Sequence, residues 1–414
     1  MKILHVTANY SEQGGAERYV LDICAALERE QHEVVILASS EGSTFSVPSR
    51  SEFFLPPAYG LHSMLKNSIK KYRRIIRDEQ PDVIHVHNTQ NHINPLLLLL
   101  LAGDVPAVKF VHDVRPFCPT DLKVLPRTDS LCARPMGHKC WNKQGCLPFD
   151  PEKPTVTGNL RKFVLVSSEL HATRRFDHVI VGSHFMAAEL KRNSVDSSKI
   201  TVLQNYTTLE EPELANLPDL PTIVCLGQFN RIKGMPQLVE ALAHIGSSPW
   251  HANLVGEGPL LDNCIRRVAE LGLGDRVRFT PSVPYSELSS IFREASIVVL
   301  PSVIPEAFGL VGIEAMACGR AVVAFDSGGI REWCIDGVTG NVTPRGDVIA
   351  LANAIRKLIS DPPLARKMGI RGRELVDTKF RLSNHYHGLL SVYRAAIESR
   401  GNNAETSAKS RSWL

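Results

Sequence analysis

The sequence contains no long hydrophobic run and no large excess of charge of either sign. Its longest run of leucine, Leu96–Leu101, is far shorter than the roughly 20 residues that a helix needs to cross a bilayer, so it predicts a buried helix. The net charge of +4 is too small to favour nucleic acid as a general partner. Proline and glycine are not in excess. With 414 residues and 43% hydrophobic residues, the chain has enough length and apolar content for about two globular domains.

The first ten residues, MKILHVTANY, become polar too early to form the hydrophobic region of a signal peptide. They predict a first β-strand, and we expect a cytoplasmic protein. Nine cysteines without a secretion signal favour free thiols over disulfides, and the odd count agrees with that expectation.

Short apolar runs alternate with helical stretches along most of the chain. They are KILHVTA, HEVVILA, DVIHVH, AVKFVHD, HVIVGS and KITVLQ before residue 205, then TIVCLGQ, HANLVGE, RVRFTPS, SIVVLPS and AVVAFD after residue 221. This alternation predicts two parallel sheets covered by helices on both faces. The polar, proline-containing segment 205–221 predicts a hinge linker, and the last 20 residues have the composition of a frayed tail. Ligands of such sheets bind beyond the carboxyl ends of the strands, so the cleft between the domains is the expected site.

A paired glycine, Gly14 and Gly15, follows the first predicted strand and precedes a helix. Glycine allows the backbone to approach a ligand closely, and a helix amino terminus attracts anions, so the pair predicts a phosphate site. A simple tight turn explains it equally well. The G-x-G-x-x-G pattern and the acidic residue of dinucleotide-binding proteins are absent, which disfavours a nicotinamide dehydrogenase.

Two further loops carry charged residues that could bind a ligand. LGQFNRIKG places Arg231 and Lys233 before a helix, where two cations could hold a diphosphate, although such residues are often solvated loop charges. PEAFGLVGIEAMACG places Glu306 before a helix that we expect to begin near Phe308, with Glu314 inside it and Gly319 at its end.

The spacing of these two glutamates does not suit a glycosidase acid pair. A fully helical path would separate their α-carbons by roughly 12 Å and turn the side chains apart by about 80°. They fit better as contacts to two parts of one extended ligand, with the free N–H groups of Phe308, Gly309 and Leu310 facing a phosphate. The alternative is that neither glutamate binds a ligand: Glu306 would interact with the dipole at the amino end of the helix, and Glu314 would be a surface residue.

These motifs resemble those of the retaining GT-B glycosyltransferases of family four. The resemblance rests on PEAFGLVGIEAMACGRAVVA with GGIREWCIDGVTGNV, and on GGAER, PDVIHVH, VHD, LGQFNRIKG and LVGEGP, which occur in the family's order over nearly the whole chain.

The resemblance implies an α/β protein with the GT-B fold, in which two Rossmann-like domains face each other across an interdomain cleft. The acceptor-side domain would cover residues 1–205 and the nucleotide-sugar-binding domain residues 221–380, and a helix at about 381–400 would return to the first domain. It implies transfer of a sugar from a nucleoside diphosphate sugar with retention of configuration. The donor-binding residues implied by position are Gly14, Gly15, Arg231, Lys233, Glu306, Phe308, Gly309, Leu310 and Glu314, and the catalytic residues are His112, Lys233 and Glu306.

One position departs from the family pattern, because Gln228 occupies the place where an arginine usually follows the strand-end glycine. We expect Arg231 to supply the missing cation. No pair of carboxylates with D-x-D spacing occurs in a nucleotide loop, so we expect catalysis without a metal cofactor, with the leaving phosphate assisting deprotonation of the acceptor.

Four cysteines cluster in the segment that follows VHD: Cys118, Cys132, Cys140 and Cys146. With His138 nearby, they could bind a structural zinc, but the segment has no C-x2-C pair, and reduced thiols in an acceptor-side loop explain the cluster as well.

The stretch 61–80 predicts a helix with Leu61, Leu65, Tyr72 and Ile76 on one face and six basic residues largely elsewhere. Such a helix could lie on the inner face of an anionic membrane. There it could bring a carbohydrate or lipid-linked acceptor near the site. A solvated helix packed on the sheet explains the pattern equally well.

The function expected from the sequence is sugar transfer in polysaccharide, lipopolysaccharide or glycolipid assembly. A sugar-nucleotide epimerase of the same fold and a non-catalytic sugar-nucleotide-binding protein are the two alternatives.

Overall fold

The computed structural model describes residues 1–11, 14–41, 43–56, 62–89, 93–125, 128, 130–141, 146–147, 155–210 and 214–411. The chain forms two compact units, the first made of Met1–Leu203 and Tyr386–Leu414 and the second of Gln204–His385. Within the described residues, no helix combines the length and the apolar character that a membrane span requires.

The first unit contains a seven-stranded parallel sheet with the order β3-β2-β1-β4-β5-β6-β7. Its strands are β1 (Lys2–Thr7), β2 (Glu33–Ser39), β3 (Ser51–Leu55), β4 (Val83–Val86), β5 (Ala107–Val111), β6 (His178–Val181) and β7 (Ile200–Val202). Its helices are α1 (Gly15–Arg29), α2 (His62–Glu79), α3 (Pro95–Asp104), α4 (Val156–Thr173) and α5 (His184–Arg192).

The leucine run forms a helix, as predicted. It lies in α3, which begins after Asn94, whose side chain accepts a hydrogen bond from the Leu96 N–H. Leu97, Leu98 and Leu101 are buried, whereas Leu96 is 53% exposed. The helix therefore packs one face on the protein and leaves the other at the surface.

The second unit contains a six-stranded parallel sheet with the order β10-β9-β8-β11-β12-β13. Its strands are β8 (Thr222–Leu226), β9 (His251–Val255), β10 (Val277–Thr280), β11 (Ile297–Leu300), β12 (Ala321–Phe325) and β13 (Gly340–Thr343). Its helices are α6 (Met235–Ala243), α7 (Leu261–Glu270), α8 (Leu288–Arg293), α9 (Leu310–Ala317), α10 (Val348–Ile359) and α11 (Pro362–Lys379). The last helix, α12 (Leu382–Arg411), begins in the second unit and continues in the first.

The central strand β11 shows how the second unit is built. Ile297 and Val299 belong to one hydrophobic core, and Val298 and Leu300 belong to another. Successive side chains of a strand point to opposite faces, so the sheet has a core on each side, as predicted for a fully apolar strand.

The structure differs from the sequence-based expectations at three places. The edge strands β3 and β13 were not predicted, and α12 extends to Arg411, whereas a frayed tail was expected there. The described part of the 205–221 segment has no helix or strand, but it is anchored to the second unit, because Thr207 N–H donates to the Phe380 carbonyl over 2.9 Å.

Candidate functional site

In the second unit, the strand order reverses between the neighbouring strands β8 and β11. Doubly wound sheets bind ligands at this position, because the loops that leave the two strands diverge and open a crevice at their carboxyl ends. The loop after β8 carries Arg231 and Lys233, and the loop after β11 carries Glu306. The fold therefore brings these predicted donor-binding loops to one edge of the sheet.

Lys233 and Glu306 form an ion pair at this edge. Lys233 Nζ donates to Glu306 Oε1 over 2.6 Å, and the Ser302 hydroxyl donates to the same oxygen over 2.5 Å. The side chains of Lys233 and Glu306 are 37% and 14% exposed. Glu306 Oε2 has no hydrogen-bond partner among the residues that the structure describes. One carboxylate oxygen thus remains to accept a hydrogen bond from a ligand.

The surroundings of Glu306 keep it ionised. Burial by itself would raise the pKa of this carboxyl group, but the charge of Lys233 and the hydrogen bonds from Lys233 and Ser302 outweigh burial and lower the pKa. Glu306 is therefore a carboxylate at neutral pH, the form that accepts hydrogen bonds from hydroxyl groups.

Asn230 and Gly234 shape the loop that carries Lys233. Asn230 Oδ1 accepts hydrogen bonds from the N–H groups of Ile232 and Lys233, at 2.9 and 3.0 Å, in the manner of an Asx turn. Gly234 has a φ of 70°, and a Cβ there would lie 1.8 Å from the Pro301 carbonyl oxygen. The loop passes so close to the end of β11 that only glycine fits, and this passage sets Lys233 beside Glu306.

Arg231 does not take part in the ion pair. Its side chain is exposed and has no hydrogen bond or ion pair among the described residues. Gln228 is exposed too, and its Oε1 accepts a hydrogen bond from Asn230 Nδ2 over 3.0 Å. That Arg231 supplies the cation missing at Gln228 stays a prediction.

The helix after Glu306 begins at Leu310, two residues later than expected. Gly309, at its N-cap, has φ 86° and ψ 64°, which is a left-handed conformation. Phe308 and Gly309 therefore precede the helix, and the fully helical path between Glu306 and Glu314 does not exist. Within the described residues, the N–H groups of Phe308, Gly309 and Leu310 have no acceptor. They are available to an anion.

Trp333 fixes the amino end of α9. Its indole Nε1 donates to the Phe308 carbonyl over 2.7 Å, and a Cβ at Gly312 would lie 2.0 Å from the indole ring. The ring thus lies directly on the helix backbone, which holds the three free N–H groups in place.

Glu314 lies inside α9 and is only 8% exposed. The alternative that treated it as a surface glutamate is therefore wrong. Its role as a contact to the donor ribose stays a prediction.

In the first unit, Gly14 has a φ of 101° and precedes α1, which begins at Gly15. The carboxylate of Glu17 lies against this turn, because a Cβ at Gly14 would be 2.3 Å from Glu17 Oε2. Glu17 Oε1 also accepts a hydrogen bond from Asn9 Nδ2 over 3.4 Å. An anion could use the expected phosphate site only if Glu17 moved away, since like charges repel at this distance.

His112 follows β5 and stacks on Phe110 with ring centroids 4.3 Å apart. Its Nε2 lies 3.4 Å from His87 Nδ1, and His87 Nε2 lies 2.9 Å from His5 Nδ1. Burial lowers the pKa of His5 to about 3 and holds that of His87 well below its usual value, so both imidazoles are neutral at pH 7. A chain of buried imidazoles therefore orients the ring of His112.

One group of three side chains among the described residues could hold a metal ion. The ligand atoms of His5, His85 and His87 lie within 4.8 Å of one another. However, His5 Nδ1 is paired with His87, and His85 Nδ1 lies 2.6 Å from the Tyr393 hydroxyl. We interpret His5 and His87 as a buried hydrogen-bonded pair that supports His112, and His85 as a buried imidazole held by Tyr393.

Sequence reasoning missed Ser302, Asn230 and the histidine chain. Ser302 was detectable, since it is the second residue after β11, where ligand-binding residues of such sheets occur. The histidine chain depends on strand pairing, because His5 lies opposite His85 only in the register of β1 and β4.

Comparison with known proteins shows the family to which the chain belongs. The model of the family described as Glycosyltransferase Family 4 matches residues 13–211, and that described as Glycosyl transferases group 1 matches residues 208–375. An alpha-maltose-1-phosphate synthase of Mycolicibacterium smegmatis is 30% identical over 276 residues, which cover 59% of this chain and 70% of the relative. The chain belongs to glycosyltransferase family 4.

Two further similarities bear on the family 4 assignment. A GDP-mannose-dependent alpha-(1-6)-phosphatidylinositol monomannoside mannosyltransferase of the same organism is 36% identical over 169 residues, 39% of this chain and 44% of the relative. The chain thus matches less than half the length of this relative. The solved structure of a sucrose-phosphate synthase from Thermosynechococcus elongatus superposes with a TM-score of 0.71 at 22% identity, covering 96% of this chain and all of the other. At that identity the similarity shows the GT-B fold.

Proposed function

We propose that this chain transfers a sugar from a nucleoside diphosphate sugar to a hydroxyl acceptor, with retention of anomeric configuration and without a catalytic metal ion. The observation that carries the proposal is the 2.6 Å contact between Lys233 Nζ and Glu306 Oε1 at the switch point of the second sheet. A cation, an ionised carboxylate and free N–H groups at one edge suit a ligand that carries both a diphosphate and hydroxyl groups.

Each group in the second unit then has a role. Lys233 neutralises the diphosphate as it leaves, and the N–H groups of Phe308, Gly309 and Leu310 bind its oxygens. Glu306 accepts hydrogen bonds from sugar hydroxyls through Oε2, while Ser302 and Lys233 hold Oε1. Glu314 binds the ribose. In the first unit, His112 contacts the transferred sugar, a role that comes from the family resemblance.

In the proposed reaction, the bond between the anomeric carbon and the phosphate oxygen breaks as the acceptor oxygen bonds to the same face. The electron pair leaves with the diphosphate, and the acceptor hydroxyl proton passes to a phosphate oxygen. Lys233 and the amide N–H groups stabilise the charge that develops on the leaving group. The carboxylate of Glu306 remains paired and does not act as a nucleophile.

The relatives support a proposal for the substrate class. One is named a GDP-mannose-dependent alpha-(1-6)-phosphatidylinositol monomannoside mannosyltransferase. We propose a hexose donor and an acceptor of polysaccharide, lipopolysaccharide or glycolipid assembly.

An anionic membrane surface is a further proposed partner, through α2. Tyr72 and Ile75 of this helix are buried at 0% and 2% exposure, so the helix packs on the protein and its apolar face does not insert into lipid. Leu61 and the side chain of Leu65 lie outside the described residues. Five of the six residues that line a surface recess of about 450 Å³ are basic: Lys66, Lys70, Arg73, Arg74 and Arg77. Contact with the membrane would therefore be electrostatic.

Single substitutions of the two loop cations test the proposal. Lys233→Ala should lower kcat/KM by about a hundredfold or more, because it removes the charge that stabilises the leaving diphosphate. Arg231→Ala should weaken donor binding with a smaller loss of turnover. Lys357→Ala, at an exposed position of α10, is the matched control and should behave like the wild type.

The donor is found first, by a thermal-shift screen of nucleotide sugars, because a ligand that binds only the native state raises the melting temperature. Product formation with candidate acceptors is then measured. Binding without turnover for every acceptor would indicate a sensor, and inversion at C2 of the donor sugar would indicate an epimerase.

If Arg231→Ala changes neither affinity nor turnover while Lys233→Ala abolishes activity, Arg231 does not replace the missing arginine.

A further inference from the structure

Three histidines form a row across neighbouring strands of the first sheet. His5 lies in β1, His87 follows β4, and His112 follows β5, and these strands are adjacent in the order β1-β4-β5. His5 and His87 are buried at 0% and 1% exposure, whereas His112 is half-buried at the carboxyl end of its strand. The imidazole row therefore runs from the protein core to the edge where ligands of such sheets bind.

Two hydrogen bonds connect the imidazole row. His5 Nδ1 lies 2.9 Å from His87 Nε2, and His87 Nδ1 lies 3.4 Å from His112 Nε2. Burial lowers the pKa values of His5 and His87, and the charge of Arg50 acts on His5 in the same direction, so both rings are neutral. A neutral imidazole has one N–H and one bare nitrogen. Because His87 uses both of its ring nitrogens, the two hydrogen bonds must point the same way along the row.

The direction of these two hydrogen bonds depends on the far end of the row. His5 Nε2 is buried and has no hydrogen-bond partner among the residues that the structure describes. If the bonds pointed from His112 towards His5, the proton of His5 would have to lie on Nε2, as a buried N–H group without an acceptor. Such N–H groups are rare in proteins, and unpaired acceptors are less so. The favoured direction is therefore from His5 through His87 to His112.

Neighbouring aromatic side chains fix the planes of these rings. Tyr19 packs against both His87 and His112, with ring centroids 5.7 and 5.1 Å away. His85 packs on His87 with centroids 4.0 Å apart, and its own Nδ1 lies 2.6 Å from the Tyr393 hydroxyl. Packing of this density hinders rotation of the imidazoles, so their ring nitrogens keep the partners described above.

We infer that His87 is a positioning residue that sets the tautomer of His112. His87 donates from Nδ1 to His112 Nε2, so His112 carries its proton on Nδ1. The inference rests on the proposed function, in which His112 contacts the transferred sugar. In that reaction His112 would donate a hydrogen bond from Nδ1 to a sugar oxygen and could not donate from Nε2. The imidazole row fixes a hydrogen-bonding pattern and transfers no proton during the reaction.

Nuclear magnetic resonance of the full-length protein with isotope-labelled histidine tests the tautomer directly. At neutral pH the wild-type ring of His112, assigned with His112→Gln, should carry a proton on Nδ1 and none on Nε2. His87→Leu should abolish this preference, because it removes the donor. His87→Asn should keep it, because the asparagine amide can take the place of the Nδ1–H group. His385→Leu removes a buried imidazole outside the row, 2% exposed, and as the matched control should leave the His112 signals unchanged.

Steady-state kinetics distinguish positioning from a purely structural role. His87→Leu and His87→Asn both lose the buried contact with His5, so their melting temperatures should fall by similar amounts. His87→Leu should lower kcat by about tenfold with little change in the KM of the donor, whereas His87→Asn should stay within about threefold of the wild type. Equal losses of kcat in the two variants would show that His87 acts only through stability, and would overturn the inference.

The wild-type spectrum decides the inference even where neither variant folds. A proton on Nε2 of His112 in the wild type overturns it, and so does an unchanged tautomer in His87→Leu. Failure of the proposed function gives a different result: the wild type transfers no sugar, while His112 still carries its proton on Nδ1 and loses that preference in His87→Leu. In that case the tautomer assignment stands without the sugar contact.

Discussion

The ionisation of Glu306 depends on two donors that share one carboxylate oxygen. Lys233 Nζ and the Ser302 hydroxyl both bind Oε1, and together they lower the pKa of Glu306 against the effect of burial. Ser302 carries no charge and has no role of its own in the proposed chemistry. Replacing it therefore isolates the effect of the hydrogen bond on the carboxylate.

Ser302→Ala should raise the pKa of Glu306, and the acid limb of the pH profile of kcat/KM should move to higher pH. The folded-state pKa of Glu306 is lowered, so its contribution to stability is complete above the unfolded pKa of about 4.3 and is lost as the pH falls through the lower folded value. The variant should lose this stability at higher pH than the wild type does. Activity profiles and melting curves from pH 7 down to acid pH measure both effects.

Ser290→Ala is the matched control, because the Ser290 hydroxyl donates to the Glu287 carbonyl at an exposed position. An unchanged acid limb in Ser302→Ala, alongside an unchanged control, would show that Ser302 does not set the ionisation of Glu306.

The charged residues of the candidate site were easier to predict from the sequence than the residues that hydrogen-bond to them and orient them. Lys233 and Glu306 were recognisable because they occur at fixed places after strands, in a pattern that resembles a known family. Ser302 was missed because a serine after a strand has many roles in proteins. His5 and His87 were missed because their contact depends on the pairing of strands whose residues are 82 positions apart.

All the central strands were predicted from the sequence, but of the four edge strands only β7 and β10 were. Every apolar run used to predict a strand contains one. The central strands are buried on both faces and have the nearly continuous apolar sequences expected of such strands. β3 lies at the edge of its sheet with a mostly half-buried sequence, SEFFL, and β13 is a short edge strand, GNVT, that contains glycine and asparagine. Neither forms the longer apolar run by which the other strands were recognised.

Helix ends were the least predictable feature. α9 begins at Leu310 because Gly309 adopts a left-handed conformation, which depends on the packing of Ile330 and Trp333 around it. α12 continues to Arg411, through a stretch in which alanine, glutamate and lysine favour a helix.

The basic face of α2 makes a prediction about membranes. Each basic residue near an anionic surface contributes about 1 kcal/mol, so replacing Lys70, Arg73 and Arg74 by glutamine should weaken binding to anionic liposomes by about a hundredfold. Flotation with phosphatidylserine-containing and neutral liposomes measures this.

A matched triple variant replaces three exposed basic residues of α10 and α11 by glutamine, namely Lys357, Lys367 and Arg371, and should float like the wild type. Wild-type protein that floats with neither type of liposome contradicts the membrane proposal. Equal losses in the two triple variants would show that only total charge matters.

The chain as a whole combines two parallel sheets, each with a strand-order reversal, and the family 4 motifs follow one another along both. In the proposed mechanism, Lys233 and the free N–H groups before α9 neutralise the leaving diphosphate without a divalent ion. The zinc predicted from Cys118, Cys132, Cys140 and Cys146 would lie in the first unit and would have a structural role. These two statements make different predictions for the effect of a chelator.

Brief treatment with EDTA should leave turnover within about twofold of the untreated enzyme, since catalysis by a bound divalent ion would be lost at once. Longer treatment that removes zinc should lower the melting temperature first and activity later, and zinc alone should restore both. Immediate loss of turnover that magnesium or manganese restores, with an unchanged melting temperature, would contradict metal-independent catalysis. Turnover and melting temperature measured on the same samples distinguish the two cases, because a catalytic metal affects rate before stability and a structural metal affects stability before rate.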